Sequence, residues 1–123
     1  LTELTETTYK KTLRHDLVIV LVKADWCQYC TSVAPLFLEN CALFSDQVHF
    51  AVADLGESFL EKSPILKRLE KDFSLSIDQI PTLLVFKEGK LVENVIAKQD
   101  KQQIQELVHL HGKKKSVETK RQS

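Results

Sequence analysis

The chain has 123 residues, 43% hydrophobic and 28% charged, and its 17 basic side chains balance 17 acidic ones. That length makes one domain with a single core that needs no metal or staple. The charge balance gives no field directed at nucleic acid or an anionic membrane, three cysteines are too few for a disulfide-built scaffold, and no apolar run reaches span length.

In chain order, "LTETTYKKTLRH" predicts a helix with Thr5 or Thr7 as N-cap and Tyr9 and Leu13 on one face. "LVIVLV", Leu17 to Val22, is a continuous aliphatic run suited to a central strand covered on both sides, as in parallel α/β sheets. "TSVAPLFLENCALF" spaces Val33, Leu36, Phe37 and Leu38 as a helix does, with Pro35 inside predicting a kink. "VHFAVADL" reads as a second buried strand. The stretch from Gly56 to Ser76 predicts a linker and a helix, with Ser63 as N-cap, Pro64 as first helical residue and Ile65, Leu66 and Leu69 facing inward. "PTLLVFKEGKLVENVIA" predicts two apolar strands joined at Glu88-Gly89. Asp100 caps a last helix whose stripe is Ile104, Leu107, Val108 and Leu110. The expected order is α, β, α, β, α, β, β, α, giving a mixed sheet in one domain over residues 1–111. Residues 112–123 are polar and basic and are expected to be a disordered tail.

Chemistry concentrates in "KADWCQYC", residues 23–30, where a buried strand gives way to a helix. Unpaired backbone donors and the dipole at a helix N-terminus favour a thiolate, and the thiolate is the species that attacks disulfides. Cys27 is thus the candidate exposed nucleophile, and Cys30, one turn further in, the candidate resolving thiol. A zinc site needs two more ligands, and neither Cys41 nor the histidines, His109 and His111 included, supply a second paired spacing. A structural disulfide over so small a loop adds little. A redox-active dithiol is the favoured reading and these two are the alternatives.

Around the pair, the chain resembles the thioredoxin family from about Leu4 to Leu110. The resemblance rests on "LVIVLVKADWCQYC", Pro35 in the following helix, "AVADL" as central strand and "IPTLLVFKEGKLV" as proline segment and hairpin. It implies a thioredoxin fold, with a central mixed β-sheet flanked by helices on both faces. It also implies a cis Ile80-Pro81 bond facing the cysteines, Ile80 offering backbone groups to an extended substrate and Pro81 keeping metal off the thiols. Trp26, Tyr29 and the stretch around Ile80 and Ala97 are the expected apolar recognition patch. The implied activity is thiol–disulfide exchange with protein substrates, as a reductant, without metal or organic cofactor. The implied partners are protein disulfides and a redox partner, either a reductase or a membrane electron donor, and a monomer is expected. Alternatives are an extracytoplasmic oxidase or isomerase, and a binding or chaperone-like module with weak turnover. The cytoplasm is the expected compartment. Because the chain starts at Leu1 without any methionine, the periplasm or secretion is the alternative if a signal peptide was removed.

The sequence also departs from that family. Leu21 stands where typical members bury an aspartate, and Val52 where they place a nearby lysine, so a polar pair has become aliphatic. The expected consequence is slower deprotonation of Cys30. Lys23 replaces a frequent tryptophan; its cation would favour the Cys27 thiolate while Asp25 would oppose it, so both are candidates for tuning the pair, with two solvated charges beside the site as the alternative. Gln28-Tyr29 differs from the usual Gly-Pro, and the segment from Gly56 to Asp72 is longer than its counterpart, as a helix extension that packs or as a surface that narrows partner choice. Cys41 is expected as a buried apolar residue, with a regulatory or dimer-forming thiol as the alternative.

Overall fold

Leu17 to Val22 are at most 3% exposed, and they make the body of strand β2 (Leu17–Lys23). In this computed structural model, which describes residues 1–112, the elements around it are β1 (Thr2–Glu3), α1 (Tyr9–Thr12), α2 (Gln28–Phe44), β3 (His49–Asp54), α3 (Pro64–Phe73), β4 (Thr82–Lys87), β5 (Lys90–Ile96) and α4 (Lys101–Gly112). The five-stranded sheet has the order β1-β3-β2-β4-β5. β3 lies parallel to β1 and β2, whereas β4 is antiparallel to β2 and to β5. Gly112 closes α4, and the rest of the expected tail lies outside the described residues.

A two-residue period sorts β2 between two apolar clusters. Val18, Val20 and Val22 join Tyr9, Leu13, Ile65, Leu66 and Leu69, the α1 and α3 side. Leu17, Ile19 and Leu21 join Val33, Phe37, Ile104, Leu107 and Val108, the α2 and α4 side. Helices therefore cover both faces of the sheet, as the long aliphatic run required.

Several local expectations change. β1 precedes the expected first helix, where no strand was expected: Thr2 and Glu3 pair with Ala51 and Val52, and the helix itself is a four-residue α1 with Thr8 at its cap. Thr5 Oγ1 accepts the Thr8 N–H at 3.2 Å and bonds Thr8 Oγ1 at 2.7 Å. The Thr5 carbonyl also accepts the Thr8 and Tyr9 N–H groups, so a capped turn opens at Thr5 ahead of α1. α2 holds Pro35 inside its 17 residues, where the sequence placed it. β5 is an edge strand, so its side chains alternate between half-buried and exposed instead of forming an apolar run. Leu110 is 56% exposed and falls outside the stripe made by Ile104, Leu107 and Val108. The hairpin turn is as expected: Glu88 and Gly89 have φ of 52° and 85°, the left-handed pair that matches strand twist. α3 also begins as expected, with Ser63 Oγ accepting the Leu66 N–H at 3.2 Å.

At the sheet end near the α2 C-terminus, the His15 and His49 rings stack with centroids 4.2 Å apart, and His49 Nε2 meets Thr2 Oγ1 at 2.9 Å. Burial, and next the charge of His15, hold the His49 pKa below its usual 6.5. A depressed histidine pKa means that the unfolded chain binds more protons than the folded one below pH 6.5. Stability is therefore present above that pH and lost as pH falls beneath it. Urea midpoints measured at about pH 7.5 and about pH 5.5 should differ in that direction, and His49→Gln should narrow the difference.

Candidate functional site

β2 ends at Lys23, and residues 24–26 turn the chain from the sheet into α2. Cys27 is the helix N-cap, with extended backbone angles (φ −90°, ψ 111°), and its Sγ accepts the Cys30 N–H at 3.2 Å. Cys27 and Cys30 are joined as a disulfide, with Cα atoms 5.3 Å apart. When the bond is reduced, the same N–H and the dipole of a 17-residue helix face the Cys27 sulfur, the setting that stabilises a thiolate. Cys27 is the more open of the two, but at 8% exposure against 3% for Cys30 it is not the exposed residue expected from the sequence. The reason is packing: both belong to the apolar cluster on the α1 and α3 side, although Val33 and Phe37 further along α2 belong to the opposite one. The pair therefore sits at the end of the sheet, between the two layers.

The other expected site residues fall as follows. The Ile80-Pro81 bond is cis; Ile80 packs against the cluster that holds both cysteines, and Pro81 is buried. The Pro81 carbonyl accepts the Ala97 N–H at 2.9 Å, fixing this segment to the end of β5. Trp26 is 49% exposed, donates its Nε1–H to the Gly56 carbonyl at 2.8 Å and meets Phe59 edge to face at 5.9 Å. Tyr29 is also half exposed, and its hydroxyl accepts the Gln99 N–H at 3.2 Å. Ala97, expected in the surface patch, is only 1% exposed and contributes to the core instead, because its backbone is drawn in by Pro81.

Lys23 and Asp25 pair with each other, Nζ to Oδ1, at 3.2 Å. With Asp25 almost fully exposed, this contact is weak. Opposite Lys23 in the parallel register stands Asp54, which the sequence reading passed over as the end of an apolar strand. Burial pushes the Asp54 carboxyl above the usual carboxylate range, Lys23 opposes that, and Asp25 and Glu3 add to it. Phe59 was also passed over; the signal was a pair of apolar residues, Phe59-Leu60, set among charges in the long segment. Of the segment from Gly56 to Asp72, residues 56–63 form a loop with an isolated antiparallel bridge between Gly56 and Lys62, and the remainder is α3.

Leu21 and Val52 are register partners on adjacent strands, so the aliphatic replacement expected from the sequence is a true cross-strand pair. Leu21 is 2% exposed and Val52 packs against its cluster. Cys41 is a free thiol of intermediate exposure, packed against the α2 and α4 cluster rather than fully buried. Among the described residues, no three His, Cys, Asp or Glu side chains are grouped to hold a metal ion, and no helix is long and apolar enough to cross a membrane.

Comparison with known proteins agrees with this geometry. A family model described as Thioredoxin matches residues 1–110. The chain is 28% identical to thioredoxin of Listeria monocytogenes over 107 residues, 87% of this chain and 94% of that protein. It is 32% identical to thioredoxin 1 of Synechococcus elongatus over 94 residues, 75% of this chain and 78% of that protein. Among solved structures, Plasmodium falciparum thioredoxin aligns with a TM-score of 0.71 at 22% identity, covering 90% of this chain and 99% of that one. Mitochondrial thioredoxin 3 of Saccharomyces cerevisiae, in its oxidised form, gives 0.68 at 21% identity, covering 89% and 93%. At those identities the structural likeness speaks for the fold.

Proposed function

Because the chain belongs to the thioredoxin family, with the cysteine pair of a thiol–disulfide oxidoreductase, we propose that it works as a reductant of protein disulfides, with Cys27 attacking and Cys30 resolving. The observation that carries this reading is the place of Cys27 at the α2 N-cap with the Cys30 N–H on its sulfur. In the reduced protein, the Cys27 thiolate attacks one sulfur of a substrate disulfide, forming a mixed disulfide and expelling the other sulfur as a thiolate. Cys30 loses its proton and attacks Cys27, releasing the second substrate thiol. The substrate gains two electrons and the pair becomes the disulfide seen here, to be reset by a reductase or a membrane electron donor.

Trp26, Tyr29 and the backbone at Ile80 form the proposed recognition rim, with Pro81 holding that segment in place. Lys23 and Asp25 act on the Cys27 thiolate with opposite signs, so their paired arrangement leaves a small net effect. With the reducing role we propose a cytoplasmic monomer. The tested quantity is turnover: the wild type, supplied with dithiothreitol, reduces a disulfide-bonded protein, and Cys27→Ser brings the protein-dependent rate to background. Persistence of that rate in Cys27→Ser would remove Cys27 as the attacking group.

One feature favours a second reading. Leu21 and Val52 pair as aliphatic residues where the resemblance implies a buried aspartate that helps move the Cys30 proton and a nearby lysine, which suits a binding module with slow turnover. In that case partner binding survives Cys27→Ser. A reduction potential near about −270 mV supports the reductant, and one near about −120 mV an oxidase.

A further inference from the structure

The long segment between β3 and α3 makes a surface beside the cysteines that none of the chemistry above uses. Residues 56–63 are tied down rather than loose. Ser58 Oγ accepts the N–H groups of Leu60 and Glu61, the Ser63 N–H donates to the Leu55 carbonyl at 2.8 Å, and Trp26 Nε1–H holds the Gly56 carbonyl. Gly56 is required there: its φ is +120°, and an added Cβ would meet Ser63 N at 2.6 Å and Glu61 O at 2.7 Å.

This fixed loop presents Leu60 at 95% exposure, with Phe59 at 38% and Trp26 at 49% behind it. An isolated exposed leucine means little, but this one follows Phe59, whose ring meets that of Trp26, the residue before Cys27. Trp26 also borders a cleft of about 480 Å³, lined by Asp25, Asp54, Glu57, Glu61 and Lys62 among others. Lys62 turns its ammonium to Glu70 Oε2 at 2.6 Å and Lys23 its own to Asp25 Oδ1 at 3.2 Å, so Glu57, Glu61 and Asp54 leave the cleft acidic in a chain whose charges sum to zero.

We infer that the ridge of Trp26, Phe59 and Leu60 and its acidic cleft select protein substrates whose disulfide is flanked by an apolar residue and a lysine or arginine. The inference rests on the oxidoreductase reading above and deepens it. The apolar side chain covers Leu60, the cationic one enters the cleft, and the disulfide is delivered to Cys27 from the Trp26 side. Charge of this kind acts chiefly on encounter and specificity.

The test uses the full chain, reduced with dithiothreitol and then freed of it. Two peptides with the same intramolecular disulfide ring carry Leu-Arg or Leu-Glu beside it, a third carries Gly-Arg, and bis(2-hydroxyethyl) disulfide serves as a small neutral substrate. Each reaction converts one peptide disulfide to a dithiol and the Cys27–Cys30 dithiol to a disulfide. The Leu-Arg peptide should react about tenfold faster than the Leu-Glu peptide at low salt, with the gap closing as salt rises. Glu57→Gln with Glu61→Gln should cut that ratio to about threefold or less. Leu60→Ser should slow the Leu-Arg peptide about threefold and leave the Gly-Arg peptide unmoved. Equal rates for the two charges, or a preference indifferent to these substitutions, overturns the inference while reduction of the small disulfide keeps the oxidoreductase reading. Self-association of the chain that Leu60→Ser abolishes also overturns it, by giving the ridge a second copy as its occupant. Failure to reduce the small disulfide and all three peptides overturns the oxidoreductase reading and the inference with it.

Discussion

Cys30→Ala should stop the reaction halfway, with the substrate covalently held on Cys27. In the proposed sequence the mixed disulfide forms without Cys30 and is released only by it. Multiple turnover should fall by about 10³-fold or more, the scale on which removal of a reacting group acts. Intact-protein mass spectrometry should find one substrate equivalent bound, and peptide mapping should place it on Cys27. Alanine suits the position better than serine, because Cys30 is 3% exposed in an apolar cluster where a hydroxyl would lack a partner. If the variant turns over at the wild-type rate, or the adduct maps to Cys41, the assignment of the two roles is wrong.

The second large effect is on stability. Leu21→Asp places the family's carboxylate among Val33, Phe37, Leu83 and Val85 with an aliphatic register partner. An unpaired buried charge costs about 3–5 kcal/mol, and the folded protein answers by keeping the carboxyl protonated. Its folded pKa is then above the unfolded value near 3.9, so the unfolded chain releases the proton first and stability falls as pH rises through that window. Urea unfolding should show the loss in full near neutral pH and a recovery on acidification. Adding Val52→Lys supplies the register partner, and the double variant should regain about 1–3 kcal/mol. No recovery in the double variant would show that the two positions do not face one another closely enough to pair.

Much of this was legible in the sequence because the signals were dense. An unbroken β-branched and aliphatic run of six suits a covered strand, and Ser63-Pro64 suits a helix start. What was missed had weak local cause. β1 is two residues long and exists through its pairing with Ala51 and Val52, a tertiary fact that no periodicity in "TE" announces. The burial of Cys27 depends on which layer the first turn of α2 meets, and spacing does not record that. Leu110 continues the apolar spacing of α4, yet the helix rotates it out of the contact made by Leu107 and Val108. Asp54 and Phe59 matter only because folding brings the end of β3 and the following loop beside Trp26.

The sorting of β2 between two clusters has a consequence for how damage spreads through this molecule. Ile19 and Val20 are adjacent in the chain and equally buried, yet they report to different neighbourhoods. A void at Val20 opens into the shell that also encloses Cys27 and Cys30, whereas one at Ile19 opens toward Phe37 and α4. At Ile19 and Val20, then, one step along the strand decides whether a void borders the cluster that holds the active cysteine pair or the one between the sheet and α4.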